Sequence, residues 1–260
     1  MRDCREEWFD AEKKVAVTIV DVTSAAQELA RGHLAGPTST HFLTEALASV
    51  ALLGAEMSEK DETVILQAKC SGPLGGYNVE CTSEGTLRGY TEKKILDGFD
   101  GLGRPKDRMV LGDQQIQVTR SVPGRILSQG ISTSIDGYLA GSLQRKACIR
   151  TEVAVSDEVE ILEARGVMVE DMPDRKGDLF CCKADGLKSL AVASRNILGQ
   201  LGLENAELRR TTPLKFACRC SPDRAAAMLA ALSEDERKSL PDTLDVTCHM
   251  CGKTFTIRTR

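Results

Sequence analysis

The chain has 260 residues, of which 42% are hydrophobic and 28% charged, so it can bury a sizeable core and is not intrinsically disordered. Its formal net charge of −4 argues against a general binder of nucleic acids or of anionic membranes. This length allows one large domain or two unequal ones.

The N-terminal stretch bears on the cellular location. The first ten residues, MRDCREEWFD, contain no apolar core of a signal peptide, and their acidic side chains argue against an organelle transit peptide. No apolar run reaches the roughly 18 residues of a membrane span. The sequence therefore predicts a cytoplasmic protein, with an organelle matrix as the alternative. Thiols stay reduced there, so close cysteine pairs indicate metal ligands or redox switches instead of static disulfides.

The first elements in chain order are a strand and two helices. Residues 13–23 are rich in β-branched side chains and predict a buried strand. The segment TSAAQELARGHL follows and predicts a helix. The segment PTSTHFLTEALASVALLGAEM predicts a longer one, because its apolar residues recur at helical spacing, with Thr38 or Thr40 as the cap and Gly54 near the end.

From residue 63 the pattern changes to short strands broken by turns. The segment TVILQAKCSGPLGGYNVECTSEGTLRGY has the signature of an antiparallel meander, and residues 114–132 add two strands about Pro123-Gly124. Residues 137–173 mix a short helix with two more β-rich runs. Residues 1–176 are therefore predicted to form an N-terminal domain of the α+β class with antiparallel sheets.

A polar, turn-rich break at residues 172–178 precedes a predicted helical linker over residues 177–212. Gly199 and Gly202 weaken this helix, which makes the linker a marginally stable connector. Residues 213–260 are predicted to form a small C-terminal zinc-binding domain.

Four cysteines in two close pairs give the C-terminal domain its chemistry. Cys218 and Cys220 are two residues apart, and in an extended strand such residues project to the same face. Cys248 and Cys251 form a C-x-x-C motif, and Gly252 can take the strained position of a tight knuckle. Two such pairs, separated by 27 residues, predict a closed tetrahedral site that holds one Zn²⁺ ion per chain.

The residues between and around these pairs support a small metal-stabilised domain. Residues 221–223 and the capping box SEDE at residues 233–236 each predict the start of a helix, and Pro241 ends the second. The segments TLDVTC and KTFTIR predict a hairpin around the knuckle. Because so small a core rarely folds alone, bound metal would supply free energy of folding.

Spacing alone leaves several roles open for this site: a structural zinc ribbon, a ribbon that reads nucleic acid, or a redox switch whose thiolates are oxidised. From residue 213 onward there are eight Lys or Arg and six Asp or Glu, and four thiolates with one zinc ion add about −2. The domain is thus near neutral, whereas a surface that follows phosphates is basic. A thiol oxidoreductase is a further alternative, but the C-x-x-C motif lacks the usual βαβ setting, and we predict no enzyme.

Motifs along nearly the whole chain resemble those of one known family. At the C-terminal end these are FACRCSPDRAAAMLAALSEDE and VTCHMCGKTF; upstream they are VAVTIVDVTSAAQELARGHLAGPTST, VILQAKCSGPLGGYNVECTSEGTLRGY and YLAGSLQRKACIRTEVAV. In order and spacing they resemble the redox-regulated heat shock protein 33 family of holdase chaperones.

The resemblance implies an ATP-independent chaperone that is inactive while Cys218, Cys220, Cys248 and Cys251 hold zinc. It further implies that oxidation forms the disulfides Cys218–Cys220 and Cys248–Cys251, releases zinc and unfolds the linker. The activated protein would form a homodimer and hold unfolding client proteins, with no nucleic-acid or membrane partner. A constitutive zinc-ribbon module that binds a protein or an RNA stays open as the alternative.

The other six cysteines lack metal-ligand partners at suitable spacing. Cys70, Cys81 and Cys148 lie in β-rich runs and are predicted to be small buried hydrophobic side chains. Cys181 and Cys182 are adjacent at the start of the linker, where a vicinal disulfide is an alternative to two free thiols.

Overall fold

The computed structural model describes residues 3–101, 106–177 and 179–259, and in these ranges runs of strands are separated by one or two helices. The strands are β1 (Cys4–Asp10), β2 (Val15–Asp21), β3 (Thr63–Cys70), β4 (Gly76–Thr82), β5 (Thr86–Thr91), β6 (Gln114–Val122), β7 (Arg125–Ser132), β8 (Lys146–Val155), β9 (Ile161–Asp171), β10 (Glu207–Pro213), β11 (Lys215–Phe216), β12 (Thr243–Thr247) and β13 (Thr254–Arg258). The α-helices are α1 (Thr23–His33), α2 (Pro37–Leu53), α3 (Asp107–Leu111), α4 (Ile135–Gly141), α5 (Ser194–Leu201), α6 (Pro222–Ala230) and α7 (Glu234–Lys238).

Two sheets form the body of the protein. One has five strands in the order β10-β1-β2-β9-β8, and the other has six in the order β11-β5-β4-β3-β6-β7. The pairs within both sheets are antiparallel except β11 with β5, which is parallel. The predicted α+β class with antiparallel sheets is therefore confirmed.

Helix α2 lies between the two sheets and is buried along nearly its whole length, as expected of a helix with few charged side chains. Its predicted cap is wrong. The helix begins at Pro37 after Gly36, and both Thr38 and Thr40 lie buried within it. A distant carboxylate replaces the cap, since the Thr38 amide donates to Asp100 Oδ1 at 3.0 Å. Among the described residues, no helix is long and apolar enough to cross a membrane.

The linker contains the predicted helix, but the helix is shorter than predicted. It spans Ser194–Leu201 and ends at Gly202, whose φ of 73° provides the left-handed position of a C-terminal cap. A 3-10 turn at Cys181–Gly186 precedes it, while Glu207–Pro213 forms β10 at the edge of the five-stranded sheet. The edge of β1 offers unpaired backbone groups, and pairing with them replaces helix at this end of the linker. Residue 178 lies outside the described ranges, and the domain boundaries stay a prediction.

The linker covers one face of the five-stranded sheet. Val15, Val17 and Ile19 point to this face, whereas Val20 and Val22 point into the main core, as period-two alternation requires. The face and its cover form a second apolar cluster. Its sheet members are Trp8, Val15, Val17, Ile19, Val167 and Val169, and its linker members are Phe180, Cys181, Ala184, Leu190, Ile197, Leu198, Leu201, Leu203 and Ala206.

The C-terminal segment has the local structure that its sequence predicts. Ser221 caps α6 by accepting from the Arg224 amide at 3.1 Å, and Ser233 with Glu236 forms the capping box of α7. Strands β12 and β13 form the expected antiparallel hairpin.

Candidate metal centre

The knuckle of the second cysteine pair is a tight turn between β12 and β13. The Gly252 amide donates to the Cys248 carbonyl at 2.8 Å, and the Cys248 amide donates to the Lys253 carbonyl at 2.9 Å. Gly252 has a φ of 72°, a left-handed conformation that side chains other than glycine rarely adopt. The first pair follows the short strand β11, which aligns Cys218 and Cys220 beside the knuckle.

The structure brings the four predicted site residues together. All four sulfur atoms lie within 4.8 Å of one another. The Cys220 and Cys251 sulfurs are 3.4 Å apart, and those of Cys218 and Cys248 are 3.8 Å apart. Four sulfurs about 2.3 Å from a central Zn²⁺ ion form a tetrahedron with edges of about 3.8 Å. The donor set and its spacing therefore fit a thiolate-bound metal ion, and zinc as its identity stays a prediction.

Cysteines within the cluster differ in pKa. Burial raises the pKa of Cys218, but hydrogen bonds from the Cys220 amide and the Arg88 guanidinium outweigh it and lower this pKa to about 7. Burial raises the pKa of Cys220, and it raises that of Cys251 far above the ordinary range of a thiol. Cys218 thus forms a thiolate more readily than Cys220 or Cys251.

Backbone contacts dock the knuckle on α1 and β5. The Gly89 amide donates to the Met250 carbonyl at 3.2 Å, and the Gly89 carbonyl accepts from His33 Nε2 at 2.8 Å. Gly32 on α1 and Gly252 in the knuckle let the two backbones lie in contact, because a Cβ on Gly252 would overlap the Gly32 carbonyl oxygen.

Charged side chains join the first cysteine pair to the six-stranded sheet. Arg88 Nη1 donates to the Cys218 sulfur at 3.6 Å, and Arg88 Nε donates to Glu80 Oε1 at 2.5 Å. The same carboxylate oxygen accepts from Arg219 Nη2 at 2.9 Å, and Arg219 lies between the two cysteines of the pair. Glu80 is buried, so these hydrogen bonds satisfy its charge. Sequence reasoning did not single out Arg88, Glu80 or Gly32, since local patterns carry no signal for contacts across such separations.

Residues outside the cluster only partly match their predicted environments. Cys81 is fully buried as predicted, whereas Cys70 and Cys148 are only half-buried. Cys181 and Cys182 are free thiols, the first buried and the second exposed. His249 is stacked edge-on against Tyr90, with ring centroids 5.7 Å apart.

Comparisons with known proteins agree with the geometry. The family model described as "Hsp33 protein" matches residues 7–258. A protein named 33 kDa chaperonin from Thermus thermophilus is 27% identical over 92% of this chain and 79% of the relative. A protein of the same name from Oceanobacillus iheyensis is 25% identical over 93% of this chain and 91% of the relative.

The fold also has a solved counterpart. The crystal structure of a 33 kDa chaperonin (heat shock protein 33 homolog) from Thermotoga maritima superposes with a TM-score of 0.86. The superposition covers 100% of this chain and 96% of the Thermotoga maritima chain, and the two sequences are 20% identical. The two proteins therefore share a fold. The family model spans nearly the whole sequence, and the chain therefore belongs to the Hsp33 family.

Proposed function

We propose that this protein is a redox-regulated, ATP-independent holdase chaperone whose resting state holds one zinc ion at Cys218, Cys220, Cys248 and Cys251. Family membership, the names of its relatives and the four-sulfur cluster support this proposal. Bound zinc would supply charge neutralisation of the thiolates and free energy of folding to the C-terminal domain.

The cysteines themselves would act as the switch. Oxidation by peroxide or hypochlorite would remove two electrons for each of the disulfides Cys218–Cys220 and Cys248–Cys251 and would abolish the thiolate ligands. The sulfur of a disulfide is a weaker acceptor than a thiolate, so the hydrogen bond from Arg88 would also weaken. The C-terminal domain would then lose the interactions that hold it on α1 and β5.

The observation that carries the proposal is the apolar sheet face beneath the linker. Leu214 is the one residue between β10, the end of the linker, and β11, which leads to Cys218. Unfolding of the cysteine domain would therefore free the C-terminal end of the linker. Helix α5 has eight residues, too few to be stable without packing. Its release would expose the face that contains Trp8, Val17 and Val169.

Once the linker has left this face, the face would account for both partners of the active state. A large apolar patch binds unfolding client proteins, and the same kind of surface favours association of two activated copies into a homodimer. We propose no enzymatic activity and no nucleic-acid or membrane partner for this protein. We place it in the cytoplasm.

The test is an oxidant titration of the full chain at elevated temperature. We expect about one zinc ion per reduced chain, and release of that ion to a chromogenic chelator together with suppression of client aggregation. Cys248→Ser should lose metal binding, whereas Cys70→Ser, outside the cluster, should retain it. Oxidised protein that keeps its metal and never slows aggregation would refute the proposal. Tight binding of a partner by the reduced, metal-loaded form would instead support a constitutive zinc-ribbon module.

A further inference from the structure

A second pair of thiols lies at the start of the linker, away from the metal centre. Cys148 lies on β8, and Cys181 is the first residue of the 3-10 turn Cys181–Gly186. The turn packs against β8, and each of the two thiols shifts the pKa of the other, although 33 positions separate them in the sequence. Cys181 is buried in the apolar cluster beneath the linker, and the half-buried Cys148 packs against that cluster.

The pair belongs to a row of contacts that holds the linker on β8. Cys148, Arg150 and Glu152 alternate along the strand and so share one face. Arg150 forms an ion pair with Asp185, and Glu152 accepts a hydrogen bond from the Leu190 amide. One contact within the turn, at Asp185, and one after it, at Leu190, therefore hold this part of the linker against β8.

The surroundings indicate a thiol pair instead of a second metal site. Cys182 is exposed, while its neighbour Cys181 is buried against the sheet. Within residues 3–101, 106–177 and 179–259, one group of three or more side chains is close enough to hold a metal ion. That group consists of Cys218, Cys220, Cys248 and Cys251. Two neighbouring thiols at one apolar cluster, without a third ligand, are suited to form a disulfide.

We propose that Cys148 and Cys181 are a second redox site, which hydrogen peroxide oxidises to a disulfide that ties the start of the linker to β8. The Cys148 thiolate attacks a peroxide oxygen, the O–O bond breaks, and Cys148 becomes a sulfenic acid as one water leaves. The Cys181 sulfur then attacks the Cys148 sulfur, the S–O bond breaks, and the S–S bond forms with release of a second water. The two sulfurs supply the two electrons that reduce the peroxide, and both thiol protons end in water.

The surroundings of the two thiols make Cys148 the residue that attacks the peroxide, and they make this reaction slow. Burial raises the pKa of Cys148, although the hydrogen bond from Cys181 opposes this, and burial raises the pKa of Cys181 further. Cys148 is thus the better source of thiolate, but little is present at neutral pH. Disulfide formation should therefore quicken about tenfold for each pH unit between pH 7 and 8, because the thiolate fraction rises tenfold.

Peptide mapping of the full chain tests the pairing. Trypsin releases Cys148 within residues 147–150 and both linker cysteines within residues 177–183. In Cys182→Ser, we expect hydrogen peroxide treatment, blocking of free thiols and non-reducing digestion to yield the two peptides joined by a disulfide. The matched variant Cys181→Ser, which keeps Cys182, should yield at least tenfold less of this product.

Three outcomes would overturn the inference. One is equal cross-linking in the two variants, and another is a vicinal Cys181–Cys182 disulfide in the unmodified chain. The third is full alkylation of both peptides in Cys182→Ser after the four site cysteines have become disulfides. Because Cys182 is exposed, its replacement leaves the fold intact, and the mapping requires neither bound zinc nor chaperone activity. Hydrogen exchange supplies a second readout, and the cross-link should slow exchange of the amides in the turn at residues 181–186.

Discussion

The Arg88 guanidinium on β5 donates a hydrogen bond to the Cys218 sulfur at 3.6 Å. The contact joins the body of the protein to the candidate metal centre across 130 positions of sequence. Burial raises the pKa of Cys218, and this cationic donor is one of the groups that lower it to about 7. The body thus stabilises the thiolate form of Cys218, which is also the form that binds metal.

Arg88→Gln should weaken metal retention. A hydrogen bond to a charged group contributes about 1.5 kcal/mol, so transfer of metal to a competing chelator should become about tenfold more favourable. Arg219→Gln is the matched control, because Arg219 shares Glu80 with Arg88 and is about half exposed. An equal shift in the two variants would show that the Glu80 ion pairs matter and the sulfur contact does not.

Gly252→Ala should detach the knuckle from α1. The substitution strains a backbone with a φ of 72° and places a methyl group against the Gly32 carbonyl, which together cost at least about 2 kcal/mol. Hydrogen exchange at the Gly89 amide, which donates to Met250, measures the docked population. Gly98→Ala controls for strain alone, since Gly98 has a φ of 84° in open space. Unchanged protection of Gly89 in Gly252→Ala would contradict this account.

Leu198→Ala should release the linker without oxidation. Leu198 is fully buried in the cluster beneath the linker, and its truncation costs about 2–5 kcal/mol. The fluorescence of Trp8, the single tryptophan, reports the change because Trp8 lies under the linker with the Arg195 guanidinium 4.6 Å from its ring centre. Aggregation of a client should slow in the reduced variant, whereas Asn196→Ala on the exposed side of α5 should behave like the original chain.

Gly199→Ala should have the opposite effect on the linker. Gly199 is exposed inside α5 with open space around its Cα, so alanine stabilises the helix by up to about 1 kcal/mol. We expect a higher temperature or more oxidant for the same Trp8 fluorescence change. Gly202→Ala, at a φ of 73°, should shift this threshold downward. Equal thresholds in the two variants would show that helix stability does not control release.

Acid should weaken docking of the knuckle through His33. Burial is the largest cause of its lowered pKa, so the docked state favours neutral His33 while the undocked state titrates near 6.5. Because the undocked state binds more protons below this value, docking loses stability as the pH falls through about 6.5. The Tm should fall more between pH 7.5 and 5.5 in the original chain than in His33→Gln. Protonation of the cysteine thiolates is common to both proteins, so identical decreases would refute the role of His33.

Much of the local structure could be predicted because its causes lie within a few residues. Alternation assigns Val15, Val17 and Ile19 to one face of β2 without knowledge of what covers that face. The capping box at Ser233 and the turn at Gly252 likewise depend on neighbours in the chain. Local spacing also places the two cysteines of each pair on one side of their segment. The four-sulfur cluster could therefore be predicted from the sequence.

The sequence by itself thus determined the α+β elements, the knuckle and the identity of the four clustered cysteines. Only the tertiary structure decided that β10 joins the sheet, that Arg88 reaches Cys218, and that Cys181 and Cys148 lie at the same apolar cluster. The physical reason is separation along the chain. Periodicity and capping report energies among near neighbours, whereas these contacts depend on how two sheets and the linker pack together.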